Sequence, residues 1–342
     1  MSGRPTLERV AERAGVSRAT VSRVVNGAET VDPVLREKVR RAVAELGYVP
    51  NRSARTLVTR RTDLIALVAA ESEQRVFGDP FFTDIIRGVS QELAGADVQL
   101  VLMLAKSEQD YTRIERYLVP GHVDGALLIS QHSGDALPGR LLDAGVPVVT
   151  GGRPPDGSRD VPHVDHDNVT GAELATRHLI ATGRVRIGTI TGPADMSAGV
   201  DRLTGFRRAA GDTVPADRIE PGEFTHASGV AATERLLERA PDVDGLFVAS
   251  DLMALGCLTA LRRAGRSVPD DVAVVGFDDI AAAAEAEPAL TTVHQETFDQ
   301  GRVMARMLLA RIGRIPATDA GRFTEGASRV ILPVRLVIRD SA

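Results

Sequence analysis

The chain has 342 residues, which is long for one domain and enough for two or three. A hydrophobic content of 43% and a charged content of 25% exclude a disordered or fibrous protein and allow sizeable cores. The single cysteine, Cys257, excludes an internal disulfide, and no apolar run reaches the roughly 18 residues that a membrane span needs. Because the first residues also lack an apolar signal core, we expect a cytoplasmic protein.

Charge is divided unevenly along the chain. The net charge of −5 argues by itself against a nucleic-acid partner. Residues 1–61, however, carry 13 Lys and Arg against 6 Asp and Glu, whereas the remainder carries 28 against 40. A basic segment joined to an acidic body is typical of a protein that contacts DNA at one end only.

Residues 6–26 have the pattern of two short helices joined by a glycine. Thr6 is a suitable N-cap for the first helix, and Gly15 ends that helix because glycine enters the left-handed conformation without steric cost. Ser17 caps the second helix. Its apolar face consists of Val21, Val24 and Val25. The pattern predicts a helix-turn-helix whose second helix enters a DNA major groove.

The outward face of the second helix is expected to read DNA. Arginine binds guanine edges bidentately, and small hydroxyl side chains let the backbone approach phosphate. We therefore expect Arg18, Ala19 and Arg23 to specify bases. The other residues expected at the DNA, most of them holding phosphate, are Thr6, Leu7, Ser17, Thr20, Ser22 and Asn26.

The similarity to a known pattern extends beyond this motif. The segments V-A-x-x-A-G-V-S-x-x-T-V-S-R-V-V-N, R-E-K-V and A-E-L-G-Y-V-P-N-R resemble the DNA-binding headpiece of the lactose repressor/galactose repressor family. The resemblance implies a transcriptional regulator, most simply a repressor, that binds a palindromic operator as a homodimer. It also implies allosteric control of operator binding by a small ligand.

The predicted DNA-binding domain spans residues 1–50 and includes a third helix over 32–46. Residues 51–61 form a polar linker, which by composition is a solvated tether. The resemblance implies, as the alternative, a hinge helix that forms only when two protomers occupy operator DNA, since so short a helix is not stable alone. Its DNA contacts are expected to be Asn51, Ala54, Arg55 and the minor-groove wedge Leu57.

From residue 62 onward, short apolar runs such as LIALVAA (64–70) and GALLIS (125–130) alternate with amphipathic helices. This alternation predicts parallel sheets with helices on both faces. The layout is that of a periplasmic-binding-protein-like core with two α/β lobes. We expect an N-lobe at about 62–163 and 294–324, and a C-lobe at about 164–293 and 325–342.

Two such lobes bind a small molecule in a cleft at the carboxyl ends of their strands. The family resemblance assigns Arg202, Phe224 and Asp278 to that cleft, while Arg153 follows a predicted strand. The full set of expected effector contacts is Phe81, Phe82, Arg153, Arg202, Phe224, Ser250, Asp251, Asp278 and Gln295.

Several of these assignments have alternatives. Phe81 and Phe82 are equally compatible with the core and with the cleft. Ser250 stands where asparagine is usual in the family, and Asp251 is expected to cap its helix as well as to face the cleft.

The three residues carried over favour a neutral polyol, most simply a sugar, as the effector. Phe224 offers an apolar face to a pyranose ring, Arg202 donates hydrogen bonds and Asp278 accepts them. A purine stacked on Phe81 or Phe224 is the alternative ligand. In the remaining interpretation, Arg202 and Asp278 only pair with each other across a closed cleft.

No enzyme motif accompanies this layout. The sequence contains no G-x-G-x-x-G after a strand, no G-x-x-x-x-G-K-[ST] phosphate loop and no G-x-S-x-G elbow. Asp278 and Asp279 do not complete a metal site, and the histidines are too scattered for one. We expect a regulator without cofactor or metal. The alternative is a sugar-binding or sugar-modifying α/β protein with an accessory DNA-binding module.

The sequence given stops at Ala342, shortly after the last predicted strand at 328–339. A leucine heptad of the kind that joins two dimers in some members of the resembled family is not present there. We therefore expect a homodimer rather than a tetramer.

The first testable prediction concerns base reading by the second helix. Replacing Arg23 with Ala should cost about 1–3 kcal/mol of binding free energy on the best operator and relax the preference at one base pair. Fluorescence anisotropy on matched and substituted operators measures both effects. Equal losses on operator and random DNA would instead identify Arg23 as a phosphate contact.

Overall fold

The computed structural model describes residues 5–25, 30–48, 61–155, 160–211, 214–316 and 328–342. The chain divides into two compact units, Met1–Thr62 and Asp63–Ala342. The regular structure in the described part of the first unit is helical, and the second unit contains two six-stranded, mainly parallel sheets with helices packed on them. The predicted fold class is confirmed.

Among its described residues, the first unit contains three helices, which are Leu7–Ala14, Arg18–Val25 and Pro33–Leu46. The predicted caps are present: the Thr6 hydroxyl accepts the Arg9 N–H at 3.4 Å, and the Ser17 hydroxyl accepts the Thr20 N–H at 3.1 Å. Gly15 has φ 66°, the left-handed conformation that terminates the first helix. The small core between the helices consists of Val10, Ala11, Val21, Val39, Ala42 and Tyr48.

The N-lobe is a sheet of six parallel strands with helices on both faces. The strands, in their order across the sheet, are Arg329–Leu332, His163–His166, Val148–Gly151, Gly125–Ile129, Leu64–Ala69 and Gln99–Leu104. The helices are Glu73–Gly78, Pro80–Gly95, Glu108–Tyr117, Leu137–Asp143 and Thr297–Arg311, and a π-helical turn spans Leu118–His122. Because both faces are covered, the central strands Gly125–Ile129 and Leu64–Ala69 are continuously apolar rather than alternating.

The C-lobe repeats this architecture with one antiparallel edge strand. Its strands, in order across the sheet, are Val334–Val337, Thr291–Gln295, Ala273–Asp278, Gly245–Val248, Ile187–Thr191 and Ile219–Pro221, of which the first is antiparallel to its neighbour. The helices are Asn168–Ala181, Ser197–Ala210, His226–Arg239, Asp251–Arg263 and Ala281–Glu285, with a 3₁₀ turn at Ala216–Arg218.

Two of the predicted lobe boundaries differ from the structure. His163–His166 pairs in the N-lobe sheet, so the chain leaves that lobe after residue 166 and not near 163. Arg329–Leu332 also pairs in the N-lobe sheet, beside His163–His166, although residues 325–342 were expected in the C-lobe. The apolar run that was predicted as one strand is interrupted at Pro333, because proline cannot donate to a strand ladder. Apolar patterning identifies strands but does not state with which sheet they pair.

No helix in the described ranges is sufficiently long and apolar to cross a lipid bilayer. Asn26, Asn51, Ala54, Arg55 and Leu57 were assigned to DNA contact by the sequence analysis. They lie outside the described residues, as does the rest of the predicted hinge up to residue 60.

Helix Pro80–Gly95 packs against helix Thr297–Arg311 at a very close approach through Gly88. A Cβ atom at residue 88 would overlap the Phe298 carbonyl oxygen and lie 3.1 Å from the Arg302 backbone nitrogen. Backbone atoms cannot move aside as a flexible side chain could, so the contact requires glycine at this position.

We predict that Gly88→Ala lowers the apparent free energy of unfolding by about 1–3 kcal/mol through overpacking, measured by denaturant titration. Gly95→Ala, at the end of the same helix, is the matched control because its added Cβ would meet nothing within 4 Å. Equal stability of the two variants would show that the two helices separate readily to admit a methyl group.

Candidate functional site

A cavity lies between the two sheets of the second unit. Many of its lining residues lie at or just after the carboxyl ends of strands in both lobes, as expected for parallel α/β sheets. Gln131 and Arg153 come from the N-lobe, whereas Ser250 and Asp278 come from the C-lobe. The predicted cleft is therefore present and is lined from both sides.

The side chain of Arg202 is at the centre of the C-lobe wall and is only 5% exposed. Its Nε donates to Asn168 Oδ1 at 2.9 Å, and its Nη1 donates to the Ala249 carbonyl at 2.6 Å. Nη1 also lies 3.3 Å from Asp278 Oδ1, and Nη2 lies 3.4 Å from Gln295 Oε1. Burial lowers the pKa of the guanidinium and Asp278 opposes that shift, so the charge is stabilised by its partners.

Two aromatic rings add to this environment. The guanidinium carbon of Arg202 is 3.7 Å from the centre of the Phe277 ring and 5.6 Å from that of Phe224. Phe224 has a positive φ of 53° and its ring packs directly on Gly192, where a Cβ would overlap it. Arg75 from the N-lobe also lies 5.6 Å from the Phe224 ring. Phe224 thus contributes to the cleft as predicted, and its neighbours hold it in place.

Arg202 and Asp278 do pair, but not across the cleft as one interpretation held, because both belong to the C-lobe. Asp278 also accepts from Gln295 Nε2 at 2.7 Å and still lines the cavity. Burial raises the pKa of Asp278, and the neighbouring Arg202 lowers it. The pair therefore leaves Asp278 within reach of a ligand.

The prediction for Asp251 is wrong. Asp251 is fully buried and does not line the cavity; its carboxylate accepts the Thr292 hydroxyl at 2.5 Å and the Ile280 N–H at 3.0 Å. The N-cap of helix Asp251–Arg263 is Ser250, whose hydroxyl accepts the Met253 N–H at 3.3 Å. The physical reason is that the extended N-cap residue can bond back to the first turn, whereas the next residue points into the sheet.

The remaining predicted effector contacts all line the cavity. Phe82 is almost fully buried in the N-lobe core, and Phe81 contacts it edge-to-face at 5.2 Å. Arg153 is not free, because its Nη2 lies 2.8 Å and 3.0 Å from the two carboxylate oxygens of Asp201 in the opposite lobe. One predicted ligand contact is therefore also an ion pair between the lobes.

A second set of contacts joins the lobes beside the cavity. His132 Nδ1 lies 2.8 Å from Asp195 Oδ2, and its Nε2 lies 3.6 Å from Glu71 Oε1. Arg75 of the N-lobe donates to the Glu223 carbonyl of the C-lobe at 2.9 Å. The carboxylates of Glu71 and Asp195 raise the pKa of His132 to about 9, so this histidine is cationic at neutral pH.

The second helix of the headpiece presents Arg18, Ala19 and Arg23 to solvent, as base reading requires. Arg18 is held near Glu8, with 3.1 Å between Nε and Oε1. The Ser17 and Thr20 hydroxyls lie 2.9 Å apart, while Leu7 packs partly on the small core. Thr6, Ser17 and Thr20 thus have structural roles, and their DNA contacts stay predictions together with that of Ser22.

Comparison with known proteins places these features in one family. Residues 6–51 match the bacterial regulatory proteins of the lacI family, and residues 176–342 match the periplasmic binding protein-like domain. The chain is 51% identical over 344 residues to the HTH-type transcriptional regulator CelR of Thermobifida fusca, covering 99% of this chain and 98% of that protein. The chain belongs to the lacI family. Like its relatives, it is a transcriptional regulator and not an enzyme.

Other relatives agree. The ribose operon repressor of Escherichia coli (strain K12) is 34% identical over 317 residues, covering 90% of this chain and 93% of the repressor. A solved CelR–cellobiose complex is 49% identical, covers 99% and 100% of the two chains and has a TM-score of 0.77. A lac repressor dimer bound to operator and the anti-inducer ONPF is 27% identical, covers 99% of each chain and has a TM-score of 0.84.

The sequence analysis missed several polar residues of the cavity. Gln131, Asp165, His166 and Gln300 line it, and the first three lie at or just after the carboxyl ends of N-lobe strands. The signal that could have identified those three is a polar side chain at the end of an apolar strand. Gln300 lies inside a helix and gives no such signal. Among the described residues, no cluster of His, Cys, Asp and Glu could hold a metal ion.

The His132 contacts predict a pH dependence of stability. The pKa of His132 rises from the usual 6.5 to about 9 on folding, so its stabilising effect is complete below about pH 6.5 and is lost as the pH rises towards 9. The apparent free energy of unfolding should fall over this range less steeply in His132→Gln than in the wild type. His122→Gln, at an exposed surface position, is the control and should keep the wild-type slope.

Proposed function

We propose that this lacI-family chain is a repressor that binds operator DNA as a homodimer and is controlled by a neutral disaccharide of the cellobiose type in the interlobe cavity. We infer the class of ligand from one observation: each arginine that lines the cavity in the described part of the chain is paired with a carboxylate. A solved relative of 49% identity is a complex of CelR with cellobiose, which supports the choice of sugar.

The charge balance of the cavity favours a neutral ligand. Three arginines line it in the described part of the chain, and each has a carboxylate partner: Arg75 has Glu71 at 3.4 Å, Arg153 has Asp201 at 2.8 Å and Arg202 has Asp278 at 3.3 Å. The carboxylates of Asp79 and Asp165 also line the cavity. A phosphorylated or carboxylated ligand would compete with these carboxylates and be repelled by them.

The shape of the lining favours a sugar ring over a smaller polyol. Phe224, Phe81 and Met196 provide apolar surface, while Arg202 and Asp278 provide a donor and an acceptor close together. Sugar binding needs both, because a pyranose has apolar C–H faces and a rim of hydroxyls that donate and accept.

Ligand control would act through closure of the two lobes. A sugar that contacts Arg202 on one side and N-lobe groups on the other binds the closed form more tightly, and so shifts the population towards it. The interlobe pairs Arg153–Asp201 and His132–Asp195 would stabilise that same form. Closure then changes operator affinity, and the DNA-bound protein would be associated with the nucleoid.

Operator recognition would use the second helix of the headpiece, with Arg18, Ala19 and Arg23 at base edges. The hinge contacts of Asn51, Ala54, Arg55 and Leu57 belong to the same proposal. The dimeric state is supported by the lac repressor relative, which is a dimer on its operator. Sedimentation should therefore give twice the mass of the chain.

Calorimetry on the purified protein tests the effector. We expect cellobiose to bind, and maltose, ribose, cellobiose 6-phosphate and hypoxanthine to bind at least about tenfold more weakly. Operator anisotropy should change on adding cellobiose and should not change with the other compounds. Tight binding of the phosphorylated sugar or of the purine would overturn the charge argument.

Variants locate the binding to this cavity. Asp278→Asn removes the charge with little change in shape and should weaken cellobiose about 10- to 100-fold, as expected for a hydrogen bond to a charged group. Arg208→Ala, exposed on the helix that carries Arg202, is the matched control and should bind like the wild type. Wild-type affinity in Asp278→Asn would place the ligand elsewhere.

A further inference from the structure

Three N-lobe residues of the cavity carry buried polar atoms that have no hydrogen-bond partner among the described residues. They are both amide atoms of Gln131, Nε2 of His166 and Oε1 of Gln300. The three residues are 6%, 4% and 3% exposed, and all three line the cavity. They come from three separate segments, following Gly125–Ile129, ending His163–His166 and within Thr297–Arg311.

Such atoms are costly unless something binds them. A buried polar group without a partner loses its hydrogen bonds to water, and native proteins therefore satisfy more than about nine in ten of these groups. Several unsatisfied atoms converging on one cavity from separate segments are more than scattered exceptions. Their convergence indicates that a bound molecule supplies the missing partners.

The neighbours of these side chains restrict what that molecule can be. Gln300 Nε2 donates to the Val164 carbonyl at 2.8 Å, which fixes the amide and leaves Oε1 as an acceptor only. Burial and the nearby Arg202 lower the pKa of His166 to about 3, so its ring is neutral. The hydrogen bond that this ring does make is to the Glu296 backbone. Gln131 can both donate and accept.

We propose that Gln131, His166 and Gln300 form a neutral hydroxyl-binding wall in the N-lobe, opposite the Arg202–Asp278 wall, and determine which hydroxylated ligands are accepted. This inference rests on the proposed function and names the N-lobe residues that would select the sugar. Oε1 of Gln300 needs a donor, which a sugar hydroxyl provides and a ring ether or carboxylate does not. The wall thus selects ligands by the hydroxyls on their N-lobe side.

The two walls also explain why ligand binding would favour closure. The C-lobe wall is charged and internally paired, so it is largely satisfied without ligand. The N-lobe wall is unsatisfied, and a sugar already held by the C-lobe satisfies it only when the lobes are close together. The differential contacts that a population shift requires therefore come from the N-lobe.

The test uses Gln131→Leu and Gln300→Leu, which replace an amide by an apolar group of similar size. Gln109→Leu, at an exposed position of helix Glu108–Tyr117, is the matched control. The melting temperature without ligand and the calorimetric affinity for cellobiose are measured for the wild type and the three variants. We expect both cavity variants to bind cellobiose at least about tenfold more weakly. Gln131→Leu should also keep or raise the ligand-free melting temperature, because its amide has no partner to lose, whereas Gln300→Leu also loses the hydrogen bond to the Val164 carbonyl.

Monodeoxy cellobioses then identify the hydroxyl involved. At least one deoxy sugar should bind the wild type about tenfold more weakly than cellobiose binds the wild type. The same deoxy sugar should bind Gln131→Leu as tightly as cellobiose binds that variant. This loss of discrimination is the signature of a direct contact, since a merely structural glutamine would leave the preference among deoxy sugars unchanged.

The outcomes separate this inference from the function on which it rests. If the wild type binds no saccharide, the proposed function is wrong and the inference falls with it. If the wild type binds cellobiose and both cavity variants bind it equally well, only the hydroxyl-binding wall is wrong. A ligand-free melting temperature that falls in Gln131→Leu would overturn the inference too, because it would show that this amide stabilises the protein itself.

Discussion

The buried guanidinium of Arg202 is the group around which the C-lobe side of the cavity is built. Removing such a charge from water costs several kcal/mol unless it is paired and hydrogen-bonded. Arg202 meets this demand with Asn168 at the start of a helix, the Ala249 carbonyl after one strand and Asp278 at the end of another. Each partner lies where a strand or helix terminates, so satisfying this one charge brings those termini together at a single wall.

The same electrostatic demand decides what the cavity can bind. Every arginine that lines it in the described ranges has a carboxylate within 4 Å, and burial keeps His166 neutral. The arginines therefore act as oriented donors and not as uncompensated charge. This arrangement suits a ligand with many hydroxyls and no ionised group, in agreement with the cellobiose bound by the solved relative.

The two lobes differ in how completely the polar groups of their cavity walls are hydrogen-bonded without a ligand. The C-lobe wall is internally hydrogen-bonded, whereas the N-lobe wall contributes unpartnered amide and imidazole atoms. Between them, two ion pairs at Arg153 and His132 cross from lobe to lobe. Ligand-driven hinge closure needs contacts that form only when the lobes are close and others that can break when they separate. The unpartnered atoms of the N-lobe wall provide the first, and the ion pairs between the lobes provide the second.

Local sequence patterns were sufficient for most features that depend on near neighbours, although the cap of helix Asp251–Arg263 was assigned to Asp251 and not to Ser250. The caps at Thr6 and Ser17, the terminating Gly15 and the alternation of strands and helices follow from hydrogen bonds and steric limits within a few residues, and all were predicted. The pairing of Arg329–Leu332 with the N-lobe sheet, the inward direction of Asp251 and the convergence of Gln131, His166 and Gln300 were not. These depend on which strands pair and which segments meet across the cavity, and contacts between residues far apart in the chain leave no periodic signal in one sequence.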